Sequence, residues 1–113
     1  MSRLFLIFLL ALLTGCDDMC SSELLKTELS PNKNFKAVSY LYDCGATSGF
    51  STQVSVLKAN EKISSHGNIF ITEGKNNLEL KWLSNESLEI SNTKNIDSYK
   101  QKRKFKEITI FYK

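Results

Sequence analysis

The run Phe50-Ser51-Thr52-Gln53-Val54-Ser55-Val56-Leu57 constrains this chain more than any other stretch, because its apolar and polar residues alternate with a period of two. Successive side chains on a strand point to opposite faces. Phe50, Thr52, Val54 and Val56 are therefore expected on one face, and Ser51, Gln53 and Ser55 on the other, as in a half-buried strand. Residues 35–42 carry apolar side chains at both parities and read as a strand in the middle of the sheet. Residues 69–72 form a short apolar run, and Leu78, Leu80 and Trp82 alternate with Glu79 and Lys81. After the turn Ser84-Asn85-Glu86-Ser87, residues 88–91 return as a tight hairpin. A last strand over 105–112 places Ile108, Ile110 and Tyr112 on one face.

Six candidate strands and no convincing helix beyond the N-terminal segment predict an all-β domain, a small antiparallel meander or sandwich. The expected inward set is Phe35, Ala37, Val38, Phe50, Val54, Val56, Ile69, Ile71, Leu78, Leu80, Trp82, Leu88, Ile90, Ile108 and Ile110. Residues 21–29 read as one short helical turn or an extended leader, 58–68 as an exposed polar connection holding His66 in solvent, and 92–99 as a loop. Ser30-Pro31-Asn32-Lys33-Asn34 is a turn, with Pro31 suited to its first central position. It resembles the Ser-Pro-Asp-Gly-Lys turn of propeller blades, but at least four blades of about forty residues would exceed this chain.

The first sixteen residues set the compartment. Arg3 precedes the apolar run Leu4-Phe5-Leu6-Ile7-Phe8-Leu9-Leu10-Ala11-Leu12-Leu13, which at about ten residues falls short of the roughly twenty needed to span a bilayer and has the anatomy of a cleaved helical signal peptide. Leu13-Thr14-Gly15-Cys16 resembles the lipobox of bacterial lipoproteins. That resemblance implies diacylglyceryl attachment at Cys16 and cleavage just before it. Two or more acyl chains anchor stably where one binds only marginally. Asp17, directly after the cysteine, resembles the sorting signal that retains enterobacterial lipoproteins in the inner membrane. The implied location is the cell membrane, on the periplasmic face of the inner membrane in a Gram-negative cell and on the outer face of the single membrane in a Gram-positive one. Residues 1–15 are then the signal, 16–29 the lipidated tether and 30–113 one β domain.

Loss of the signal leaves fourteen basic and twelve acidic residues. This balance makes no electrostatic case for nucleic acid. With Cys16 lipidated, Cys20 and Cys44 remain as an even pair in an oxidising compartment. A disulfide is expected, against the alternatives of free thiols and metal ligation. His66 is the one histidine, and no CxxC or HxxxH spacing is present, so no metal or cofactor is expected.

The stretch Asp43-Cys44-Gly45-Ala46-Thr47-Ser48-Gly49-Phe50 is the natural place to look for a site. Asp43 beside Cys44 would raise a thiol's pKa, the wrong direction for a nucleophile. The glycines lack the spacing of a Gly-x-Ser-x-Gly elbow, and neither a helix nor a P-loop lysine follows. A stapled loop presenting Asp43, Gly45, Thr47, Ser48 and Gly49 for recognition is expected in preference to catalysis. Lys100, Lys102, Arg103, Lys104 and Lys106 place five cations within seven residues. They form a candidate patch for anionic headgroups, with a solvated loop and lysine-protected edge strand as the plainer reading.

Residues 30–56, with Asp43-Cys44-Gly45-Ala46-Thr47-Ser48-Gly49-Phe50-Ser51-Thr52-Gln53-Val54-Ser55 as signature, resemble a family of small bacterial proteins of unknown function, many of them lipoproteins. The resemblance implies a shared fold and brings no activity. The expected function is that of a non-enzymatic binding or accessory lipoprotein with an envelope protein as partner. An immunity-type inhibitor of a periplasmic toxin is the alternative.

Overall fold

A computed structural model describes residues 20–45, 49–64 and 66–113. The signal segment, Cys16, Asp17, Thr47 and Ser48 lie outside these residues. The described residues contain no helix and form nine strands: β1 (Ser21–Leu29), β2 (Phe35–Asp43), β3 (Phe50–Lys58), β4 (Phe70–Glu73), β5 (Glu79–Ser84), β6 (Ser87–Ser91), β7 (Ser98–Gln101), β8 (Lys104–Phe105) and β9 (Ile108–Tyr112). They make two sheets, ordered β1-β2-β3-β4-β7 and β5-β6-β9-β8. Ala37, Val54 and Phe70 from the first sheet meet Leu80, Leu88, Ile90, Ile108 and Ile110 from the second in one buried core, the arrangement of a sandwich.

Neighbouring strands are antiparallel with one exception, since β6 and β9 run parallel. A parallel pair needs a long crossover. Here residues 92–107 supply it by visiting the first sheet as β7 and returning as β8, and this excursion is why a purely antiparallel expectation fails. Residues 92–99 thus end in a strand. The expected last strand is also broken, because Lys106 adopts a positive φ of 53° and turns β8 back onto β9, pairing Phe105 with Ile108.

Residues 21–29 are neither a helical turn nor a leader. They pair with β2 from Ser21 opposite Asp43 to Leu29 opposite Lys36, with a bulge between Leu24 and Lys26. Part of the stretch expected to be tether thus belongs to the first sheet. β2 lies between β1 and β3, as its two-sided apolar pattern requires. The hairpin of β5 and β6 is also as expected, with Trp82 opposite Leu88 and Ser84 opposite Ser87.

The first sheet is covered on both faces, and this corrects the reading of β3. Val38, Tyr40 and Leu57 form a second apolar cluster on the outer face, joined by Tyr42 and by Ile63 of the 59–68 connection. Gln53 and Ser55, expected in solvent, are 2% and 3% exposed. Polar groups this deep require partners, and the connection supplies them. Gly67 N–H donates to Gln53 Oε1 at 2.6 Å, and Asn68 N–H donates to Ser55 Oγ at 3.1 Å. The Asn68 amide then accepts from Val56 N–H and donates to Val56 O, both at 2.8 Å, so it continues the ladder where β4 has not yet begun. Val38 and Ile71 of the expected inward set turn to this outer face, opposite Ser55 and Gln53. Phe50 is 48% exposed because it ends its strand, and Trp82 is only partly buried.

The sides of the sandwich are stitched. Lys26 Nζ donates to Leu78 O at 2.8 Å and Asn77 Oδ1 at 3.0 Å, and Trp82 Nε1 donates to Glu28 O at 2.8 Å, joining β1 to the β5 side. On the opposite side Lys102 N–H donates to Ile69 O at 2.8 Å and Ile110 N–H donates to Arg103 O at 2.9 Å.

Candidate functional site

Ser21 stands opposite Asp43 in the first hairpin, so Cys20 and Cys44 occupy the next rung, and their sulfurs are bonded. The pairing settles the fate of both thiols: neither is a nucleophile or a metal ligand. Asp43 Oδ1 accepts from Gly45 N–H at 3.0 Å, an Asx turn in which Gly45 takes a left-handed φ of 107°; Gly49, before β3, is also left-handed at φ 69°. One carboxylate oxygen of Asp43 thereby helps to shape the loop. Of the expected loop residues, Asp43 and Gly45 share this bond and Gly49 lines the groove beside them. Among the described residues, no group of three or more His, Cys, Asp or Glu is placed to hold a metal ion.

Next to the loop, at the end of the outer face, lies an open groove of about 280 Å³. Cys44, Phe50 and Gly49 form one rim, Tyr42 and His66 another, and Ile71, Glu73 and Tyr99 the far wall. The His66 ring is solvent-exposed, as expected, and packs one side against Tyr42 with ring centroids 4.7 Å apart. Its position follows from the docking of Gly67 and Asn68 onto β3. Tyr99 donates its hydroxyl to Glu73 Oε2 at 3.2 Å, and this bond raises the hydroxyl's pKa above the ordinary tyrosine value. Tyr99 also separates this groove from a larger one of about 450 Å³, walled by Thr72, Asn76, Ile96 and Asp97.

The sequence singled out the Cys44 loop but not the aromatic residues around it. Tyr42 carried a usable signal, standing at outer-face parity two residues before Cys44. Tyr99 carried none, since its position depends on β7 crossing to the first sheet.

The basic run does not form one patch. Lys100 faces the outer side opposite Ile71 and donates Nζ to Gly67 O at 3.1 Å. Lys102 and Arg103 are exposed where the chain crosses between sheets. Lys106 borders a cavity with Asn32, Asn34 and Glu86, at the end of the sandwich opposite the disulfide, and its Nζ lies 5.6 Å from the Phe105 ring centroid.

Residues 5–107 match DUF5412, a family of unknown function. No curated protein and no solved structure matches the chain.

Proposed function

The chain belongs to the DUF5412 family, and on that premise, which brings no activity with it, we propose that it is a membrane-anchored lipoprotein of the bacterial envelope serving as a non-enzymatic accessory module for an envelope protein. The Cys20–Cys44 disulfide carries the reading. Such bonds persist in oxidising compartments and are rare in the cytosol, which agrees with export directed by residues 1–15. The bond also accounts for two of the three cysteines, leaving Cys16, after Leu13-Thr14-Gly15, for the lipid.

A stitched sandwich stapled at its first described residue suits a module that holds a surface at a fixed height above a bilayer. Catalysis has less support, because the Cys44 sulfur is bonded and Asp43 shapes the loop.

Cys16→Ala should abolish incorporation of labelled fatty acid, and label that persists would sink the anchor. Crosslinking in intact cells followed by co-purification should recover a resident envelope protein. A phenotype seen only when sibling cells attack would replace this role with toxin neutralisation.

A further inference from the structure

We propose that the disulfide end of the sandwich rests on the membrane surface, with the groove between Tyr42, Phe50 and Tyr99 receiving the ammonium headgroups of zwitterionic phospholipid. This rests on lipid attachment at Cys16. Four residue steps separate Cys16 from Cys20, and even fully extended they reach no more than about 14 Å. Cys20 is bonded to Cys44, and Cys44 itself lines the groove. The acyl chains therefore hold this end of the molecule at the headgroup layer.

The side chains there suit that layer. Phe50 is 48% and Tyr99 74% exposed, and Leu24, on the outer face opposite Tyr40, is 56% exposed. Aromatic rings settle at the boundary between water and hydrocarbon, and tyrosine adds a polar tip. Charge selects the headgroup. Glu73 lines the groove, Asp43 flanks it, and no described lysine or arginine is among its lining residues. An ammonium group is attracted both to a carboxylate and to the face of an aromatic ring, whereas an anionic phosphoglycerol headgroup meets Glu73 as a like charge.

The same orientation turns the end of the basic run away, while Lys100, beside Tyr99, stays at the near end with its Nζ held on Gly67 O. β2 spans nine residues, so its Phe35 end stands roughly 26 Å from Asp43 at about 3.3 Å per residue. Lys106 borders the cavity at that far end, beyond two screening lengths of about 8 Å each at physiological salt. Lys104 and Lys106 then face the space above the membrane, where a protein partner has access.

The test uses the full-length acylated protein reconstituted into phosphatidylcholine vesicles with brominated acyl chains. Phe50→Trp places an indole in the groove. Tyr99→Trp is a second reporter at a more exposed position, where the swap leaves the core untouched. The emission that either variant adds over the Trp82 signal should fall roughly twofold relative to unbrominated vesicles, as expected of an interfacial indole. The wild-type protein, whose single Trp82 lies toward the far end, should keep its emission. Phosphatidylglycerol mixed into the vesicles should weaken the quenching. Mass spectrometry of the same sample reads the lipid on Cys16. Acylated protein with both reporters unquenched overturns the docking and leaves the anchor standing, while an unmodified Cys16 overturns both. Quenching undiminished by phosphatidylglycerol overturns the ammonium preference.

Discussion

The indole N–H of Trp82 donates to the carbonyl of Glu28 at 2.8 Å, tying an outer strand of one sheet to an outer strand of the other. Outer strands present unpaired backbone groups that invite pairing with other chains. Here the indole occupies one such carbonyl and Lys26 reaches across to Leu78. Trp82→Phe keeps most of the ring's packing and removes the donor. It should cost about 0.5–1.5 kcal/mol in urea unfolding and speed hydrogen exchange in β1 more than in β3.

The disulfide closes a sequence separation of 24 residues. In the chain-entropy account a loop of this size is worth about 3–4 kcal/mol, a large share of the stability of a domain this small. Replacing Cys20 and Cys44 together by serine should lower the unfolding free energy by that amount, and reduction of the wild-type protein should reproduce the loss. Two alkylatable thiols in the unreduced mature protein would contradict the bond.

The outer face depends on two consecutive residues. A Cβ on Gly67 would meet Phe70 O at 2.8 Å and Val54 O at 2.9 Å, both backbone atoms that cannot swing aside. Gly67→Ala should cost about 1–3 kcal/mol by overpacking. Asn68→Asp keeps the acceptor for Val56 N–H but sets a carboxylate against Val56 O. It should destabilise by about 1–3 kcal/mol, with the loss easing as acid protonates the new carboxylate. Urea denaturation across pH measures both.

Burial pushes the Tyr112 hydroxyl up to about 12 from an ordinary value of 10.0, against a smaller lowering from Arg103. Its proton is shared between the carbonyls of Lys102 and Ile69. The folded chain holds this proton more tightly than the unfolded one. The resulting stability is complete below about pH 10 and is lost as pH climbs toward 12. Tyr40, also raised chiefly by burial, adds a loss of the same sign. Tyr112→Phe should flatten the alkaline limb of stability against pH, leaving the part due to Tyr40, and thermal melts at successive pH values would show it.

Period-two runs revealed the strands whose burial is one-sided or apolar throughout. Leu78, Leu80 and Trp82 announced their hairpin because side-chain direction follows directly from spacing. Residues 21–29 and 98–101 escaped notice because their strands are short or largely polar, and their pairing comes from neighbours distant in sequence. Gln53 and Ser55 misled for a related reason: a polar residue opposite an apolar one reads as solvent-facing unless a distant segment brings it partners, as Gly67 and Asn68 do. The loop at Cys44 was legible from its cysteine and glycines. The groove was not, since Tyr99 and Glu73 reach it through the crossover from one sheet to the other.

That crossover also sets an order of events. β9 is the last strand in sequence, yet it occupies an interior place between β6 and β8 and carries Ile108 and Ile110 into the core. A chain folding from its N-terminal side can close the hairpins of β1 with β2 and β5 with β6 as they appear. Leu88 and Ile90 stay uncovered until β9 docks beside β6. The second sheet is therefore completed last, and the interval before it is when the protein is most open to aggregation.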